Sequence, residues 1–379
     1  MNLAGRRILV TGATGFIGSR LVQWLVEVEK ADVVAFIHNF KNASRISRFP
    51  IKMIRGDVRD PAVLASAMQG CSEVVHAAVS CTASADDNRA VTVGGARNVC
   101  EAALKLGIRR VVYLSTISVY GNMPDGQVDE RTECRPVDAY GQDKLDAEAV
   151  FNQSDNRELS SVILRLPVVY GPWSFWSTYP LDQFRRGRVI LPEGDGICPA
   201  LYVDDAVRAI LCALKTDDIP HAATFLVTGP DKVTWLQFYE EHGRACGGLP
   251  VVLQFLPKTE ILKHYRQESP GIVRQLWQLR GEVRIIMRIP GARAVLRFLK
   301  STRRRLHELN SSGKTSSSAM RLPPSDVWPA LAHVELMATK AFLDCSYIKK
   351  CFGFSPLFSF SEGMSFTKAW IKWFNQADN

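Results

Sequence analysis

The sequence predicts an α/β fold in which a doubly wound parallel sheet carries helices on both faces. Short apolar runs alternate with helical stretches through the first half of the 379 residues, and a glycine-rich turn joins the first run to the first helix. The chain is 46% hydrophobic and 22% charged, which is ordinary for a globular protein. Its length leaves room for a smaller second part after the sheet.

Six short apolar runs are predicted as strands of this sheet because each is bounded by polar or turn residues. They are Ile8–Val10, Val33–Ile37, Lys52–Gly56, Glu73–Ala78, Arg110–Ser115 and Ser161–Leu166. Apolar residues at helical spacing predict helices after Gly18, through Val93–Leu106 and from Tyr140.

The turn between the first strand and the first helix has the spacing of a dinucleotide-binding motif. Residues 11–18 are Thr-Gly-Ala-Thr-Gly-Phe-Ile-Gly. Gly12 permits the tight turn, Gly15 lets the backbone approach a pyrophosphate, and Gly18 lets the helix pack on the strand. A purely structural turn of this composition is the alternative. The strand before it and the helix after it favour a Rossmann-type cofactor domain.

A tyrosine and a lysine four residues apart, Tyr140 and Lys144, follow the fifth strand. At this spacing they share one helical face. A nearby ammonium would lower the tyrosine pKa from its usual value of about 10, so that the phenol could exchange a proton with a substrate oxygen. Thr116, or less directly Ser118, at the end of the fifth strand would hold the same oxygen.

Together these motifs resemble those of the extended short-chain dehydrogenases/reductases, the NAD-dependent epimerase/dehydratase family. That family includes nucleotide-sugar epimerases, dehydratases and reductases, and 3β-hydroxysteroid dehydrogenase-like enzymes. The resemblance covers roughly residues 6–240 and 342–374. Its further motifs are Gly56-Asp57-Val58, His76-Ala77-Ala78, Leu164–Pro172, Tyr202–Ala206, Phe225–Pro230 and Phe352–Pro356.

The resemblance implies an enzyme with a Rossmann-type sheet and a smaller C-terminal substrate part. It implies Thr116, Tyr140 and Lys144 as the catalytic set, with Tyr140 as the acid/base and the nicotinamide carrying the hydride. The residues expected to bind the cofactor are Gly12, Thr14, Gly15, Phe16, Ile17, Gly18, His38, Asp57, Val58, Ala77, Ala78, Tyr140, Lys144, Pro167 and Val169. Ser118, Arg185 and Tyr202 are expected to contact the substrate.

Two departures from the family pattern bear on chemistry. The second strand ends in Ile37 and His38 where relatives that prefer NAD carry an acidic residue, and Asn39, Lys41 and Arg45 follow, so we expect NADP rather than NAD. The alternative is that these are solvated loop residues and that either cofactor serves. Dehydratases of the family carry an Asp-Glu pair after the catalytic Thr, whereas Ile117 and Ser118 stand here. Dehydration is therefore disfavoured.

The chain is predicted to be divided into three regions. Residues 1–172 form the cofactor domain, with a strand and helix returning to it near 201–230. Residues 173–254 and 320–379 form the substrate part, and residues 255–319 form a basic amphipathic insertion with a flexible linker. Fourteen Lys or Arg against four Glu lie between Phe255 and Lys314, so the net charge of +9 belongs to this segment. Peripheral membrane contact through 256–309, a lid or dimer element, and a partner-protein surface stay open, and nucleic acid ranks last.

We therefore predict an NAD(P)-dependent oxidoreductase or epimerase acting on a secondary alcohol of a nucleotide-activated sugar. One alternative is a 3β-hydroxysteroid dehydrogenase-like enzyme acting on a lipid or terpenoid alcohol at a membrane surface. The other is a non-catalytic NADP-binding sensor or scaffold. No Cys-x-x-Cys pair or zinc spacing occurs among the nine cysteines, and no apolar run approaches roughly 20 residues. We expect no metal, a cytoplasmic protein with possible peripheral membrane contact, and possible homodimers.

Overall fold

A seven-stranded parallel sheet lies at the centre of the protein. The structure, a computed structural model, describes residues 2–82, 84–153, 159–217, 219, 222–246, 252–268 and 326–377. The sheet has the order β12-β7-β5-β4-β1-β2-β3, and each neighbouring pair is parallel. The predicted doubly wound α/β fold is confirmed, and the six predicted strands lie within two residues of the observed bounds.

The described strands and helices have the following bounds. The strands are β1 (Arg7–Thr11), β2 (Asp32–Ile37), β3 (Lys52–Arg55), β4 (Glu73–His76), β5 (Arg110–Thr116), β6 (Gly126–Val128), β7 (Ser160–Leu166), β8 (Val168–Tyr170), β9 (Arg188–Pro192), β10 (Ile197–Cys198), β11 (Ala200–Tyr202), β12 (Ala223–Leu226), β13 (Val233–Thr234), β14 (Leu253–Leu256), β15 (Asp326–Val327) and β16 (Ala341–Leu343). The helices are α1 (Phe16–Glu27), α2 (Pro61–Met68), α3 (Ala85–Arg89), α4 (Gly95–Leu106), α5 (Ala139–Asn152), α6 (Phe175–Arg186), α7 (Val203–Lys215), α8 (Trp235–Ala245), α9 (Lys258–Glu268), α10 (Leu331–Ala338), α11 (Ser346–Phe352) and α12 (Phe360–Ala377). Two 3₁₀ turns cover Phe40–Arg45 and Ile117–Tyr120, and a π-helical turn, Ala90–Gly94, joins α3 to α4.

The central sheet buries apolar side chains on both faces because its strands alternate. Ile8 and Val10 of β1 belong to one core, which α1 and α7 cover, whereas Leu9 belongs to the other, which α2, α4 and α5 cover. β1 lies between β2 and β4. From β1 the chain first builds the sheet toward one edge, through β2 and β3, and then toward the other edge, through β4, β5 and β7. In such sheets the crevice at the carboxyl ends of these strands is the usual ligand site.

A smaller part follows the sheet along the chain. In it β9 pairs in parallel with β14 and β15, and β16 pairs with β6. β12, by contrast, is an edge strand of the central sheet. The predicted basic insertion and linker lie outside the described residues from 269 onward, and its first residues form the end of β14 and α9. Among the described residues, no helix is long and apolar enough to span a bilayer.

A buried ion pair connects α5 to the sheet. Arg165 of β7 donates two hydrogen bonds to Glu148 of α5, at 2.7 and 3.1 Å, and both side chains are buried. Glu148 also accepts from Ser115 of β5, and Arg165 donates to the hydroxyl of Tyr120 at 3.0 Å. The two charges therefore fix α5 against two adjacent strands.

Replacing Arg165 by methionine should reduce the free energy of unfolding by about 3–5 kcal/mol, because Glu148 would keep a buried charge without its partner. Urea denaturation measures this difference. The matched control is Arg135→Met, which breaks an ion pair whose side chains are 75% and 69% exposed and is expected to leave stability unchanged within error. Equal stability of the two variants would contradict the assigned role of the buried pair.

Candidate active site

The glycine turn after β1 is in direct contact with the segment after β4. Gly12 has φ +67°, and a Cβ there would lie 2.6 Å from the carbonyl oxygen of Ala77. A Cβ on Gly18 would overlap the carbonyl oxygen of Gly12. Only glycine fits at these two positions, which keeps the first turn of α1 close to the carboxyl ends of β1 and β4.

A buried hydrogen-bond chain fixes the same two segments. The amide of Ala78 donates to the hydroxyl of Thr11 at 3.2 Å, and that hydroxyl lies 2.7 Å from Nδ1 of His76. Burial and the neighbouring Lys144 lower the pKa of His76 to about 3, so the imidazole is neutral at pH 7. The hydrogen-bond chain beside the glycine turn therefore carries no charge at neutral pH.

A groove of about 470 Å³ runs from this turn to the ends of β2 and β3. It is lined by eight of the predicted cofactor residues: Gly12, Thr14, Gly15, His38, Asp57, Val58, Ala77 and Ala78. Phe16, Ile17, Gly18, Tyr140, Lys144, Pro167 and Val169 are not part of that lining. Arg59 also lines the groove, and the sequence argument missed it.

At the far end of the groove a carboxylate lies between two basic side chains. Asp57 accepts from Arg59 at 2.6 Å and lies 3.6 Å from Nδ1 of His38, and the Arg59 hydrogen bonds lower the pKa of Asp57. Arg45 was expected here as well, but it donates to the carbonyl of Thr14 at 3.0 Å and lines a different cavity. Asn39 accepts from the backbone of Lys41 and begins the 3₁₀ turn.

Thr116, Tyr140 and Lys144 come together at the carboxyl end of β5. Asp138 caps α5 by accepting from the backbone of Gly141 at 2.7 Å, which places Tyr140 in the first helical turn. Thr116 and Tyr140 line the same cavity, and the Thr116 hydroxyl acts to lower the pKa of Tyr140. The Lys144 ammonium donates to the carbonyl of Leu114 at 2.6 Å.

The Tyr140 pKa differs from the prediction. The residue is 38% exposed, yet loss of water around its hydroxyl raises the pKa to about 12, and the Thr116 hydrogen bond offsets only part of that rise. Lys144 does not lower it, because its ammonium is directed at Leu114. Burial lowers the pKa of Lys144 itself to about 8, against the opposing effect of Glu148. The phenol of Tyr140 is thus protonated at neutral pH.

A cavity of about 240 Å³ opens beside Tyr140. Thr116, Ser118 and Pro167 line one side, and Trp176 and His333 from the smaller part line the other. His333 has a buried Nδ1 without a hydrogen-bond partner among the described residues. No motif marks His333 in the sequence, since it lies 193 residues after Tyr140 and has no neighbouring signature.

Two residues predicted to bind substrate lie elsewhere. Arg185 of α6 is 3.8 Å from Asp182, and Tyr202 stacks on Phe366 at 5.9 Å. Neither belongs to the lining of the cavity beside Tyr140. Within the described residues, no group of three or more His, Cys, Asp or Glu could hold a metal ion.

Comparison with known proteins identifies the family of this chain. Residues 8–227, more than half of the chain, match the family model described as the NAD-dependent epimerase/dehydratase family. A putative dihydroflavonol 4-reductase of Synechocystis is 32% identical over 45% of this chain and 51% of that protein. The N-acetyl-α-D-glucosaminyl-diphospho-ditrans,octacis-undecaprenol 4-epimerase of Escherichia coli O157:H7 is 30% identical over 59% of this chain and 68% of that protein. The chain thus spans between half and about two thirds of these relatives.

A solved structure shares the fold. The UDP-glucuronic acid 4-epimerase of Bacillus cereus, in complex with UDP-glucuronic acid and NAD, aligns over 97% of this chain and 99% of its own with a TM-score of 0.66. The two sequences are 21% identical, so the likeness is one of fold.

Gly12→Ala should weaken dinucleotide binding at least tenfold, because the new methyl group must displace the backbone at Ala77. Titration with NADH, followed by its fluorescence, measures the affinity. The matched control is Gly94→Ala, since Gly94 is helical and a Cβ there meets nothing within 4 Å. Wild-type affinity in a folded Gly12→Ala variant would show that the turn does not bind the dinucleotide.

Proposed function

We propose that this chain, which belongs to the NAD-dependent epimerase/dehydratase family, transfers a hydride between NAD(P) and a secondary alcohol of a nucleotide-activated sugar. The match to the family model confirms the family that the motifs predicted. The similar proteins in this family are enzymes of the extended short-chain dehydrogenase/reductase type. The observation that carries the proposal is the meeting of the Thr116 and Tyr140 hydroxyls at one cavity, beside the glycine-turn groove.

The groove has the features that a dinucleotide requires. Gly12 and Gly15 place no side chain between the turn and a ligand, so the N–H groups at the start of α1 can bind a pyrophosphate. Gly15 and Thr14 would hold the phosphates, and His38, Asp57 and Arg59 would surround the adenosine. When bound, NAD(P) supplies the hydride acceptor or donor.

The side chains beside the cavity would then transfer a proton to or from the substrate oxygen and hold that oxygen in place. In the direction of reduction, the substrate carbonyl carbon would receive the hydride while Tyr140 donates its phenol proton to the carbonyl oxygen, which becomes a hydroxyl. In oxidation the same proton returns to Tyr140. Thr116 orients the oxygen and Ser118 lies 3.2 Å from the Thr116 hydroxyl. Lys144 uses one of its three N–H donors on Leu114, which leaves two for the cofactor ribose.

The carboxylates beside the cavity do not favour dehydration. Asp138 is engaged as the N-cap of α5, and Glu335 pairs with Lys258 at 2.5 Å. Ile117 and Ser118 stand where a dehydratase of this family carries its acidic pair. We therefore propose epimerisation through a transient ketone, or net oxidation or reduction of the alcohol.

The names of similar proteins support a sugar substrate carried on a diphosphate. The E. coli relative is named as an epimerase of a diphosphate-linked sugar, and the Bacillus cereus structure contains UDP-glucuronic acid. The cavity of about 240 Å³ is smaller than the roughly 300–1,000 Å³ typical of pockets for drug-sized ligands. It would hold the sugar ring, with the nucleotide extending beyond it.

The lining of the same cavity favours a second candidate, an apolar secondary alcohol. Trp176, Met123, Val137 and Leu336 contribute apolar surface, and no lysine or arginine of the described residues belongs to the lining. A diphosphate normally needs such cations, whereas a lipid or terpenoid alcohol does not. This substrate class corresponds to the 3β-hydroxysteroid dehydrogenase-like alternative.

Tyr140→Phe should reduce turnover to background while NADH affinity stays within twofold of wild type, because the variant removes only the phenol hydroxyl, the group that exchanges the proton. The matched control is Tyr347→Phe, a surface tyrosine of α11. Reduced-cofactor absorbance is followed with UDP-, GDP- and dTDP-sugars and with sterols in detergent. Near-normal turnover in Tyr140→Phe would refute the assignment of the proton donor.

The same substrate panel separates the candidates. Turnover of one nucleotide sugar supports the first, and turnover of a sterol alone supports the second. NADP binding with no exchange of hydride on any substrate favours the sensor or scaffold interpretation.

We further propose a preference for NADP, since β2 ends without a carboxylate and His38 and Arg59 line the groove. His38→Asp should weaken NADP binding at least tenfold and leave NAD binding equal or tighter, because a carboxylate repels the 2′-phosphate and accepts from the ribose hydroxyls. Parallel titrations with NADPH and NADH measure the ratio. Asn42→Asp, which adds a carboxylate to the following turn but not to the groove lining, is the control. An unchanged ratio in His38→Asp would contradict the proposal.

Homodimers through α4 and α5, the helices that follow β4 and β5, stay a prediction from the family resemblance. Membrane contact through residues 256–309 also stays a prediction, one that rests on their basic amphipathic pattern, and most of these residues lie outside the described ones.

A further inference from the structure

A third cavity, of about 530 Å³, lies on the other side of the glycine turn from the cofactor groove. Its walls come from α1, the 3₁₀ turn with the residues that follow it, the segment after β8, and α12. It shares no lining residue with the cofactor groove or with the cavity beside Tyr140. Phe16 and Tyr202, which were expected to contact the cofactor and the substrate, line this cavity instead, and the proposed reaction gives neither of them a role.

Three arginines line this third cavity, and two of them have no acidic partner within the described residues. Arg20 is paired with Asp204 through two hydrogen bonds, at 2.5 and 2.8 Å. Arg45 is half-buried, and its contacts are the carbonyl of Thr14 and the ring of Trp173, 5.5 Å away. Arg48 lies over the ring of Phe49. A partly desolvated guanidinium without a carboxylate favours an anionic ligand.

The opposite wall of the third cavity is aromatic and exposed. Trp173 is 46% exposed and Phe366 is 52% exposed. Trp173 also has φ +73°, in the left-handed region that a bulky side chain rarely adopts, and it packs against Trp370 and Trp373 at 5.4 and 5.8 Å. Residues held in such a conformation concentrate at binding sites.

We propose that the third cavity binds a phosphate group that carries an apolar or aromatic body. The phosphate would sit on Arg45 and Arg48, whose planar forks match its oxygens. The body would lie against Trp173 and Phe366, where large aromatic faces are available to it. Both a soluble aromatic phosphate and the headgroup of an anionic lipid have this chemistry.

The soluble source is tested with 1-naphthyl phosphate, titrated into the full chain with NADH kept saturating. Binding is expected with NADH already bound, and 1-naphthol should bind at least tenfold more weakly. Arg45→Met and Arg48→Met should each weaken binding of the phosphate at least tenfold. Arg135→Met is the control with equal loss of charge and should bind as wild type does.

The lipid source is tested by co-sedimentation with vesicles of phosphatidylcholine alone or mixed with phosphatidylglycerol. If the lipid is the ligand, binding requires the anionic lipid and falls at least tenfold in Arg45→Met, Arg48→Met and Trp173→Leu. Dependence on these residues in either test supports the site and identifies its source.

Three results would overturn the proposal: no binding of either probe, binding that Arg45→Met and Arg48→Met leave unchanged, or displacement of 1-naphthyl phosphate by NADH. Arg48→Met keeps the test valid if Arg45→Met disturbs the turn, since Arg45 contacts Thr14 and the contacts of Arg48 do not include it.

Discussion

The pairing of Arg165 with Glu148 is the interaction on which the geometry of the proposed catalytic residues depends. Tyr140, Lys144 and Glu148 follow one another at four-residue intervals on α5, so a helix fixed at Glu148 is fixed at the other two positions as well. Ser115, which donates to Glu148, immediately precedes Thr116 in β5. Separating two buried charges costs several kcal/mol of folding free energy. The ion pair therefore holds α5 against β5 and keeps the hydroxyls of Thr116 and Tyr140 close together.

The glycine turn imposes a second constraint, that of close backbone packing. Gly12 against Ala77 and Gly18 against Gly12 leave no room for side chains, so β1, β4 and α1 meet at the crevice of the sheet. This brings the cofactor groove and the Tyr140 cavity to the same edge. The third cavity lies on the other side of the same turn, where Arg45 donates to the carbonyl oxygen of Thr14.

Local patterns allowed the central sheet and much of the groove to be predicted, because the first strand, the glycine turn and the first helix follow one another directly between Arg7 and Glu27. Properties that depend on the environment could not be predicted. The high pKa of Tyr140 arises from desolvation by residues far apart in sequence, and the direction of Lys144 is set by Leu114. Arg45 follows the right strand for a ribose phosphate, but the 3₁₀ turn carries it to the other side of the glycine turn. The predicted role of Arg185 had no local pattern to support it, and His333 had none to reveal it.

The pairing of β16 with β6 has a consequence for biosynthesis. Ala341 lies beside Gly126, and Ala332 and His333 complete the wall of the Tyr140 cavity. At about 5–20 residues per second, a ribosome needs roughly 6 to 23 s to add the residues between Leu226, the end of β12, and Ala341. All seven strands of the central sheet have been made by Leu226. During that interval a nascent chain can hold the complete central sheet while the cavity beside Tyr140 still lacks the wall that Ala332 and His333 form.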